Sequence, residues 1–217
     1  MKKQPVDQDW NQYWSREETR RFTKISWSKR RIISILMKHM TPGKNALDAG
    51  CGSGFFAKFF VDQKMSTTAL DYSQEALQIA KSKMGNEGKV IQADLLEDSL
   101  KDLTDDRYAL IFTDGLFEHF SENQKDIIIQ NFKGVLDDDG VIITFVPNRY
   151  SPWEFIRPFY MPGIEERPFT LKQLLELNSR NGLKVFESGG VNTLPFRYSP
   201  DQLLGKQFGM LLYTLAH

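Results

Sequence analysis

The chain has 217 residues, of which 41% are hydrophobic and 26% are charged, and its formal net charge at pH 7 is +0. These values are typical of a soluble globular domain, and they exclude disordered, collagen-like and coiled-coil proteins. Because acidic and basic residues balance, nothing in the overall charge indicates a polyanionic partner, and we expect no nucleic acid.

The few cysteines and histidines limit metal and redox chemistry. Cys51 is the only cysteine, which excludes an internal disulfide, and with 3 histidines in the chain we expect no metal site. No apolar run approaches the roughly 18 residues of a membrane span, and polar residues follow Met1 where a signal peptide would be apolar. The sequence thus predicts a soluble cytoplasmic protein without a membrane span, and it leaves the oligomeric state open.

Apolar residues recur at helical spacing between Ser15 and Met40, and Thr41-Pro42-Gly43 ends this pattern. After it, strand-like and helix-like segments alternate, with a turn at 137–140. Strands are predicted at 45–49, 66–71, 89–92, 108–113, 141–146, 183–187 and 210–215, and helices at 55–63, 74–84, 123–135 and 171–181. The alternation predicts an α/β fold with a mostly parallel sheet and helices on both faces.

The first predicted strand opens into a glycine-rich turn, Asp48-Ala49-Gly50-Cys51-Gly52-Ser53-Gly54. Alternate glycines let the backbone turn tightly and approach a ligand at the positive end of a helix, so a nucleotide-like ligand is predicted here. A dinucleotide fingerprint would have a third glycine where this chain has Phe55, and a P-loop would continue with lysine and serine or threonine. The dinucleotide fingerprint is therefore disfavoured, and the P-loop motif is absent.

Two more acids follow the next two predicted strands. Asp71 ends the second strand, where an acid commonly accepts hydrogen bonds from ribose hydroxyls. Asp94 follows the third strand, at a suitable place for an acceptor of the adenine amino group. Because parallel strands end at one edge of the sheet, Asp48, Asp71 and Asp94 are predicted to line one ligand site.

These motifs resemble those of the class I S-adenosylmethionine-dependent methyltransferases, particularly the small-molecule branch. The similarity runs from about Lys44 to Val146 and, more loosely, from Pro168 to Glu187. It implies a Rossmann-like, seven-stranded, mostly parallel sheet with an antiparallel last strand. It also implies S-adenosylmethionine as the cofactor and S-adenosylhomocysteine as its product.

The same resemblance implies the domain organisation. Residues 1–43 are expected to form an N-terminal helical lid, and residues 44–217 the methyltransferase domain. The segment at about 148–169, in which aromatic residues alternate with prolines, is expected to be a substrate-cap insertion.

The resemblance further implies which residues bind the cofactor. The glycine turn is expected to hold the methionine part, the residues after the second and third strands the ribose and adenine, and two lid aromatics to close the pocket. The set comprises Asp48, Gly50, Cys51, Gly52, Gly54, Asp71, Tyr72, Ser73, Asp94, Leu95, Asp114, Tyr13 and Trp14. Asp114 either accepts from the cofactor's ammonium group or caps a helix, and the two lid aromatics either close the pocket or anchor the first helix on the core.

Methyl transfer from a sulfonium requires alignment and exclusion of water, and it requires a base only where the nucleophile arrives protonated. His119 is the candidate base, because an imidazole titrates near neutral pH; the alternative is that it shapes its loop by bonding to the backbone. Glu118 is interpreted as a structural acceptor, because a solvated glutamate is too weak a base. Cys51 lacks the Pro-Cys motif of a nucleophilic cysteine.

The candidate residues for binding the acceptor are Tyr150, Trp153, Arg157 and Tyr160 in the insertion. The aromatic rings would wall an apolar acceptor, and the arginine would meet an anionic group. The alternative is that these side chains only pack a long loop onto the sheet.

The predicted activity is transfer of a methyl group from S-adenosylmethionine to an oxygen or nitrogen of a small molecule. The alternatives are a nucleic-acid or protein methyltransferase, and a non-catalytic protein that only binds the cofactor. Asp114-Gly115-Leu116-Phe117 stands where methyltransferases of base amino groups have Asn-Pro-Pro-Tyr or Asp-Pro-Pro-Tyr, which disfavours the first alternative. Cofactor motifs alone do not exclude the second.

Overall fold

A sheet of seven strands lies at the centre of the computed structural model, which describes residues 9–16, 25–157 and 166–217. The strands are β1 (Asn45–Ala49), β2 (Ser66–Asp71), β3 (Gly88–Gln92), β4 (Tyr108–Asp114), β5 (Leu136–Pro147), β6 (Val185–Val191) and β7 (Leu211–Ala216). Their order across the sheet is β3-β2-β1-β4-β5-β7-β6. Strands β1 to β5 pair in parallel, and β7 is antiparallel to both β5 and β6. The predicted sheet with its antiparallel last strand is confirmed.

Helices cover both faces of this sheet. They are α1 (Trp10–Trp14), α2 (Trp27–Leu36), α3 (Phe55–Asp62), α4 (Gln74–Met84), α5 (Leu100–Leu103), α6 (Glu122–Val135), α7 (Leu171–Arg180) and α8 (Asp201–Phe208). Short 3₁₀ turns span Gly85–Glu87, Phe117–His119 and Pro152–Phe155. Helices α2 and α3 contribute to one large hydrophobic cluster, and α6 and α7 contribute to another.

Strand β5 shows how the sheet separates these two clusters. Ile142 and Val146 belong to the cluster with α6 and α7, whereas Ile143 and Phe145 belong to the cluster with α2 and α3. Successive side chains of a strand point to opposite faces, so a run of apolar residues fills both cores. Each such buried side chain contributes about 1.5–3 kcal/mol relative to exposure.

The turn predicted at 137–140 is wrong, because β5 continues through it. Tyr108 pairs with Leu136 and Leu110 pairs with Val141, so β5 carries extra residues opposite β4. These residues form a bulge, which keeps the ladder intact on either side of them. The acidic and glycine residues at 137–140 are typical of a turn, and local sequence does not distinguish a turn from such a bulge.

The end of the domain also differs from the prediction. Strand β6 spans Val185–Val191 rather than 183–187, and α8 was not predicted. A Cβ on Gly190 would lie 1.9 Å from the carbonyl oxygen of Gly205, so the strand and α8 touch backbone to backbone. A glycine inside a strand or a helix destabilises that element. The close contact between the two backbones explains why glycines are found at positions 190 and 205.

The predicted helical stretch before residue 44 is found in part. Helix α2 occupies Trp27–Leu36, and residues 17–24 lie outside the described residues. The division into a lid at 1–43 and a domain at 44–217 stays a prediction. Within the described parts of the chain, no helix combines the length and apolar character needed to cross a bilayer.

Candidate active site at the carboxyl edge of the sheet

The glycine turn between β1 and α3 lies against the end of β2. The backbone N–H groups of Gly50 and Cys51 both donate to the carbonyl oxygen of Leu70, at 2.8 and 2.9 Å. Gly54 has φ +65°, and a Cβ there would lie 2.5 Å from the Cα of Ala80 in α4. A glycine is therefore required both by the left-handed turn and by the close approach of α3 to α4.

Asp71 connects this turn to the loop that follows β2. One carboxylate oxygen accepts from the N–H of Gly52 and the other from the N–H of Ser73, each at 2.9 Å. Burial raises the pKa of Asp71, and these backbone hydrogen bonds oppose the rise. Each oxygen keeps a further lone pair, so the carboxylate can still accept from hydroxyl groups of a ligand.

Asp48 and Cys51, both within the glycine turn, have buried side chains. The carboxylate of Asp48 is 3% exposed and accepts from the N–H of Ala57 in α3 at 2.8 Å. Burial raises the pKa of Asp48 to about 8, and the charges of Asp114 and Asp71 add to the rise. Burial likewise holds the pKa of the Cys51 thiol well above its ordinary value, which disfavours a nucleophilic role.

The residues predicted to contact ribose and adenine differ in exposure. Tyr72 is 56% exposed, whereas Ser73 is buried and its hydroxyl caps α4 by accepting from the N–H of Ala76. Asp94 is half-buried and accepts from the N–H of Leu96 at 2.9 Å, while the side chain of Leu95 lies in the core. Tyr72 and Asp94 therefore present accessible atoms at this edge, and Ser73 and Leu95 hold the loops in shape.

Asp114 ends β4, close enough to Lys29 of α2 for the two charges to interact. Burial raises the pKa of Asp114 to about 6, and the charge of Lys29 opposes the rise. Burial lowers the pKa of Lys29 to about 8, and its ammonium group lies 3.9 Å from the centre of the Phe55 ring. Asp114 caps none of the described helices, since Ser121 forms the capping box of the helix that follows.

Helix α1 lies across the edge formed by these loops. The side chain of Asn11 accepts from the N–H of Gln74, at the start of α4, at 3.0 Å. The ring of Trp14 covers Gly52, where a Cβ would lie 2.3 Å from it. Trp10 meets the ring of His119 edge to face, with 4.8 Å between centroids. The helix thus contacts the loops that follow β1, β2 and β4, and Tyr13 is buried within it.

The premise that Glu118 is solvated is wrong, whereas its interpretation as a structural acceptor stays a prediction. Glu118 is 2% exposed, and one of its carboxylate oxygens has no hydrogen-bond partner among the described residues. Burial and the charge of Glu166 hold the pKa of Glu118 well above its ordinary value. The chain brings Glu166 to this point from the far end of the insertion, and no spacing in the sequence indicates that the two glutamates meet.

The candidate acceptor residues differ in exposure and in partners, and their role stays a prediction. Tyr150 is 63% exposed, and Trp153 is half-buried in the 3₁₀ turn at Pro152–Phe155. Arg157 pairs with Glu154 at 3.1 Å and with Glu166 at 3.4 Å, an arrangement that does not favour a role in binding an anion. Tyr160 lies outside the described residues.

Asn148, which the sequence analysis missed, fixes the start of the insertion. It is fully buried, and its amide group donates to the carbonyl oxygens of Gln207 and Gly209 at 3.1 and 2.9 Å. An asparagine directly after a buried strand was the available signal, because a buried amide needs partners.

Comparison with known proteins agrees with this geometry. Residues 46–140 match the family model described as a methyltransferase domain. No curated protein has a significantly matching sequence.

Solved structures share the fold. A TehB-like SAM-dependent methyltransferase from Corynebacterium glutamicum is 18% identical, with 94% of each chain covered and a TM-score of 0.64. A SAM-dependent methyltransferase from Archaeoglobus fulgidus is 17% identical, with 91% of this chain and 96% of that chain covered and a TM-score of 0.67. The glycopeptide N-methyltransferase MtfA is 13% identical, with 88% and 89% covered and a TM-score of 0.65.

Residues 46–140 therefore match a methyltransferase domain, and the chain shares the fold of S-adenosylmethionine-dependent methyltransferases. The glycopeptide N-methyltransferase MtfA, which shares this fold, has been solved with S-adenosylmethionine, the donor that the resemblance implied. The residues at the sheet edge fit this donor, since a glycine turn and several carboxylates suit a nucleoside that carries positive charge. The contact made by each residue stays a prediction.

Proposed function

We propose that the protein transfers the methyl group of S-adenosylmethionine to an oxygen or nitrogen of a small-molecule acceptor. The observation that carries this proposal is the position of α1, which contacts the loops after β1, β2 and β4 at once. A covered edge excludes water and admits an acceptor of limited size, which suits a displacement that depends on alignment.

Each part of the cofactor is proposed to bind at one loop of this edge. The glycine turn holds the methionine part, with Asp114 accepting from its ammonium group. Asp71 accepts from the ribose hydroxyls through its remaining lone pairs, with the exposed ring of Tyr72 beside the ribose. Asp94 lies where the adenine amino group is expected.

The electrostatics of the edge favour the substrate form of the cofactor. Asp48, Asp71 and Asp114 lie on the adjacent strands β1, β2 and β4, and burial raises the pKa of each. Anionic or proton-sharing carboxylates attract a sulfonium and an ammonium group. The product lacks the sulfonium charge, so this site holds it less strongly.

The acceptor side is proposed to lie between α1, His119 and the insertion. The exposed ring of Tyr150 and the half-buried ring of Trp153 suit an acceptor with apolar or aromatic surface. MtfA, which shares the fold, is named as a glycopeptide N-methyltransferase.

Cofactor binding is tested by calorimetric titration of the purified protein with S-adenosylmethionine and S-adenosylhomocysteine. We expect binding of both, with tighter binding of the sulfonium form. Asp71→Ala should abolish binding, whereas Asp62→Ala, which removes an exposed acid at the end of α3, should not change it. Because Asp71 also holds the glycine turn, thermal unfolding without cofactor must show that both variants are folded.

The reaction is tested by measuring S-adenosylhomocysteine released with panels of small alcohols, phenols and amines, followed by mass spectrometry of the methylated product. Release that depends on one acceptor class supports the proposal and assigns the acceptor atom. Tight cofactor binding with no release from any panel, but with methylation of added RNA or protein, would overturn it.

A further inference from the structure

A cluster of possible metal ligands lies beside the proposed cofactor seat. Glu118, His119 and Glu166 each offer one ligand atom, and these atoms all lie within 4.8 Å of one another. Glu118 and His119 are 2% and 8% exposed, and the side chain of Glu166 is 5% exposed. No residue of this cluster belongs to the glycine turn or to the loops after β2 and β3.

Backbone hydrogen bonds hold the two segments of the cluster together. The N–H of Arg167 donates to the carbonyl oxygen of Glu118 at 2.9 Å. Phe169 is bonded on both sides to the end of β5, donating to the carbonyl of Pro147 and accepting from the N–H of Arg149, each at 2.8 Å. The ligand atoms are therefore placed by fixed backbone, not by chance positions of surface side chains.

The cations near the cluster already have carboxylate partners. Arg157 lies 3.1 Å from Glu154 and 3.4 Å from Glu166. The ammonium group of Lys125 is 2.7 Å from Glu122 and 4.2 Å from the centre of the Phe169 ring.

Four glutamates, Glu118, Glu122, Glu154 and Glu166, lie near these two cations, and Arg157 is shared between two of them. When ionised, the glutamates outnumber the two cations by two, and buried negative charge without counter-charge is costly. A divalent cation would balance this excess.

The unpartnered oxygen of Glu118 is an independent observation that points to a missing ligand. It has no hydrogen-bond partner among the described residues, although the side chain is almost fully buried. A buried polar atom without a partner costs about 1–3 kcal/mol, and more if it is charged, so native proteins rarely leave one.

We propose that Glu118, His119 and Glu166 bind one divalent first-row transition metal ion. Two carboxylates and one imidazole form a mixed set that suits Mn²⁺, Fe²⁺ or Zn²⁺ better than Mg²⁺ or Ca²⁺. Ligand atoms on opposite sides of such an ion are about 4.2 Å apart, so the observed cluster closes on an ion with small side-chain movements. This proposal replaces the expectation, drawn from the small number of histidines, that the chain has no metal site.

A metal ion here would lie on the acceptor side of the site, where the ring of Trp10 contacts the ring of His119. It would bind an acceptor oxygen and lower the pKa of a hydroxyl that must be deprotonated. This consequence rests on the proposed function, whereas metal binding itself does not.

The test is equilibrium dialysis of the full chain, freed of metal with a chelator, against Mn²⁺ alone and then Co²⁺ alone. We expect one ion bound per chain, and a visible Co²⁺ absorption spectrum that changes when His119 is replaced. Glu118→Gln, His119→Asn and Glu166→Gln should each weaken Mn²⁺ binding at least about tenfold. Glu97→Gln, at an exposed acid in the loop after β3, should leave binding unchanged.

Circular dichroism and thermal unfolding show which variants are folded. If Glu118→Gln, at the more buried residue, does not fold, Mn²⁺ binding by Glu166→Gln tests the proposal. Absence of stoichiometric binding to the folded wild-type chain would overturn the proposal. Equal binding by the wild type and all three variants would also overturn it. Since no cofactor or acceptor is present, either failure is distinguishable from failure of S-adenosylmethionine to bind.

Discussion

The charge state of Asp114 changes just below neutral pH, at the proposed binding site of the donor. Its carboxyl has its pKa raised to about 6 by burial at the end of β4, with Lys29 opposing the rise. Below that pH the group is mostly neutral, and above it the group is an anion that attracts the positive charges of the donor. The affinity of the site for the donor should therefore depend on this one residue.

We predict that the affinity for S-adenosylmethionine rises by up to about tenfold between pH 5 and pH 7, because Asp114 must lose its proton to accept from the ammonium group. Asp114→Asn should bind more weakly at pH 7 and should show a smaller rise. Titration calorimetry of both proteins across this range measures the difference. A rise of the same size in Asp114→Asn would assign the pH dependence to another group.

Gly54 and Gly85 differ in why a side chain is unfavourable. Both have positive φ, at +65° and +63°, but ψ is 24° at Gly54 and −137° at Gly85, a conformation that is nearly restricted to glycine. A Cβ on Gly54 would overlap Ala80, whereas Gly85 has nothing within 4 Å. We predict that Gly85→Ala costs about 1–3 kcal/mol of unfolding free energy through backbone strain alone, and that Gly54→Ala costs about 1–2 kcal/mol through strain and ~1–3 kcal/mol more through overlap between α3 and α4. Urea unfolding of both variants tests this, and a cost of Gly54→Ala no larger than its backbone strain would show that the overlap relaxes freely.

At the level of elements, α1 is the component that depends most on others. It has only five residues, Trp10–Trp14, and an isolated helix of that length is not stable in water. Its position comes from its contacts with Gln74, Gly52 and His119. A substitution in any of these loops should therefore change the position of α1.

We predict that Gly52→Ala weakens donor binding strongly, because its Cβ would lie 2.3 Å from the Trp14 ring and would displace it. In a Trp14→Ala background the same substitution should cost much less, since the overlap is gone. A double-mutant cycle on the dissociation constant, measured by calorimetry, gives the coupling between the two residues. Identical losses in both backgrounds would mean that Trp14 does not lie on Gly52 in the bound state.

Elements could be predicted from the sequence where local signals agree. Strands β1 and β2 and helix α4 have the predicted bounds, because glycines, serine caps and apolar runs mark their ends. Helix α8 was missed because its close contact with β6 at Gly190 and Gly205 exists only in the folded chain. The site divides in the same way: the glycine turn and Asp71 are local motifs, but the meeting of Glu118 with Glu166 depends on tertiary structure.

For the molecule as a whole, the buried acids set the dependence of stability on pH. Burial raises the pKa of Asp48 to about 8, of Glu166 to about 7 and of Asp114 to about 6, and it also raises those of Asp71 and Glu118. An acid whose pKa is higher in the folded state binds more protons there. Its contribution is therefore full below the unfolded pKa and is lost as pH rises through the folded pKa.

We predict that the free energy of unfolding of the protein, without donor or metal, falls between pH 5 and pH 8. In Asp48→Asn the fall should be smaller by on the order of 2–4 kcal/mol, because the amide keeps the acceptor for Ala57 and has no charge to bury. Urea unfolding at several pH values measures both slopes. Stability that increases with pH over this range would contradict the burial of these acids.

The place of β7 between β5 and β6 has a consequence for how the chain folds. Among the strands that the structure describes, β6 pairs only with β7, which follows it in sequence and runs antiparallel to it. During synthesis, β1 to β5 can therefore assemble first, whereas β6 can join the sheet only after β7, which is synthesised later, has paired with β5. A chain truncated before residue 211 should expose the edge of β5 to chaperones, and the chain with β7 should bury it.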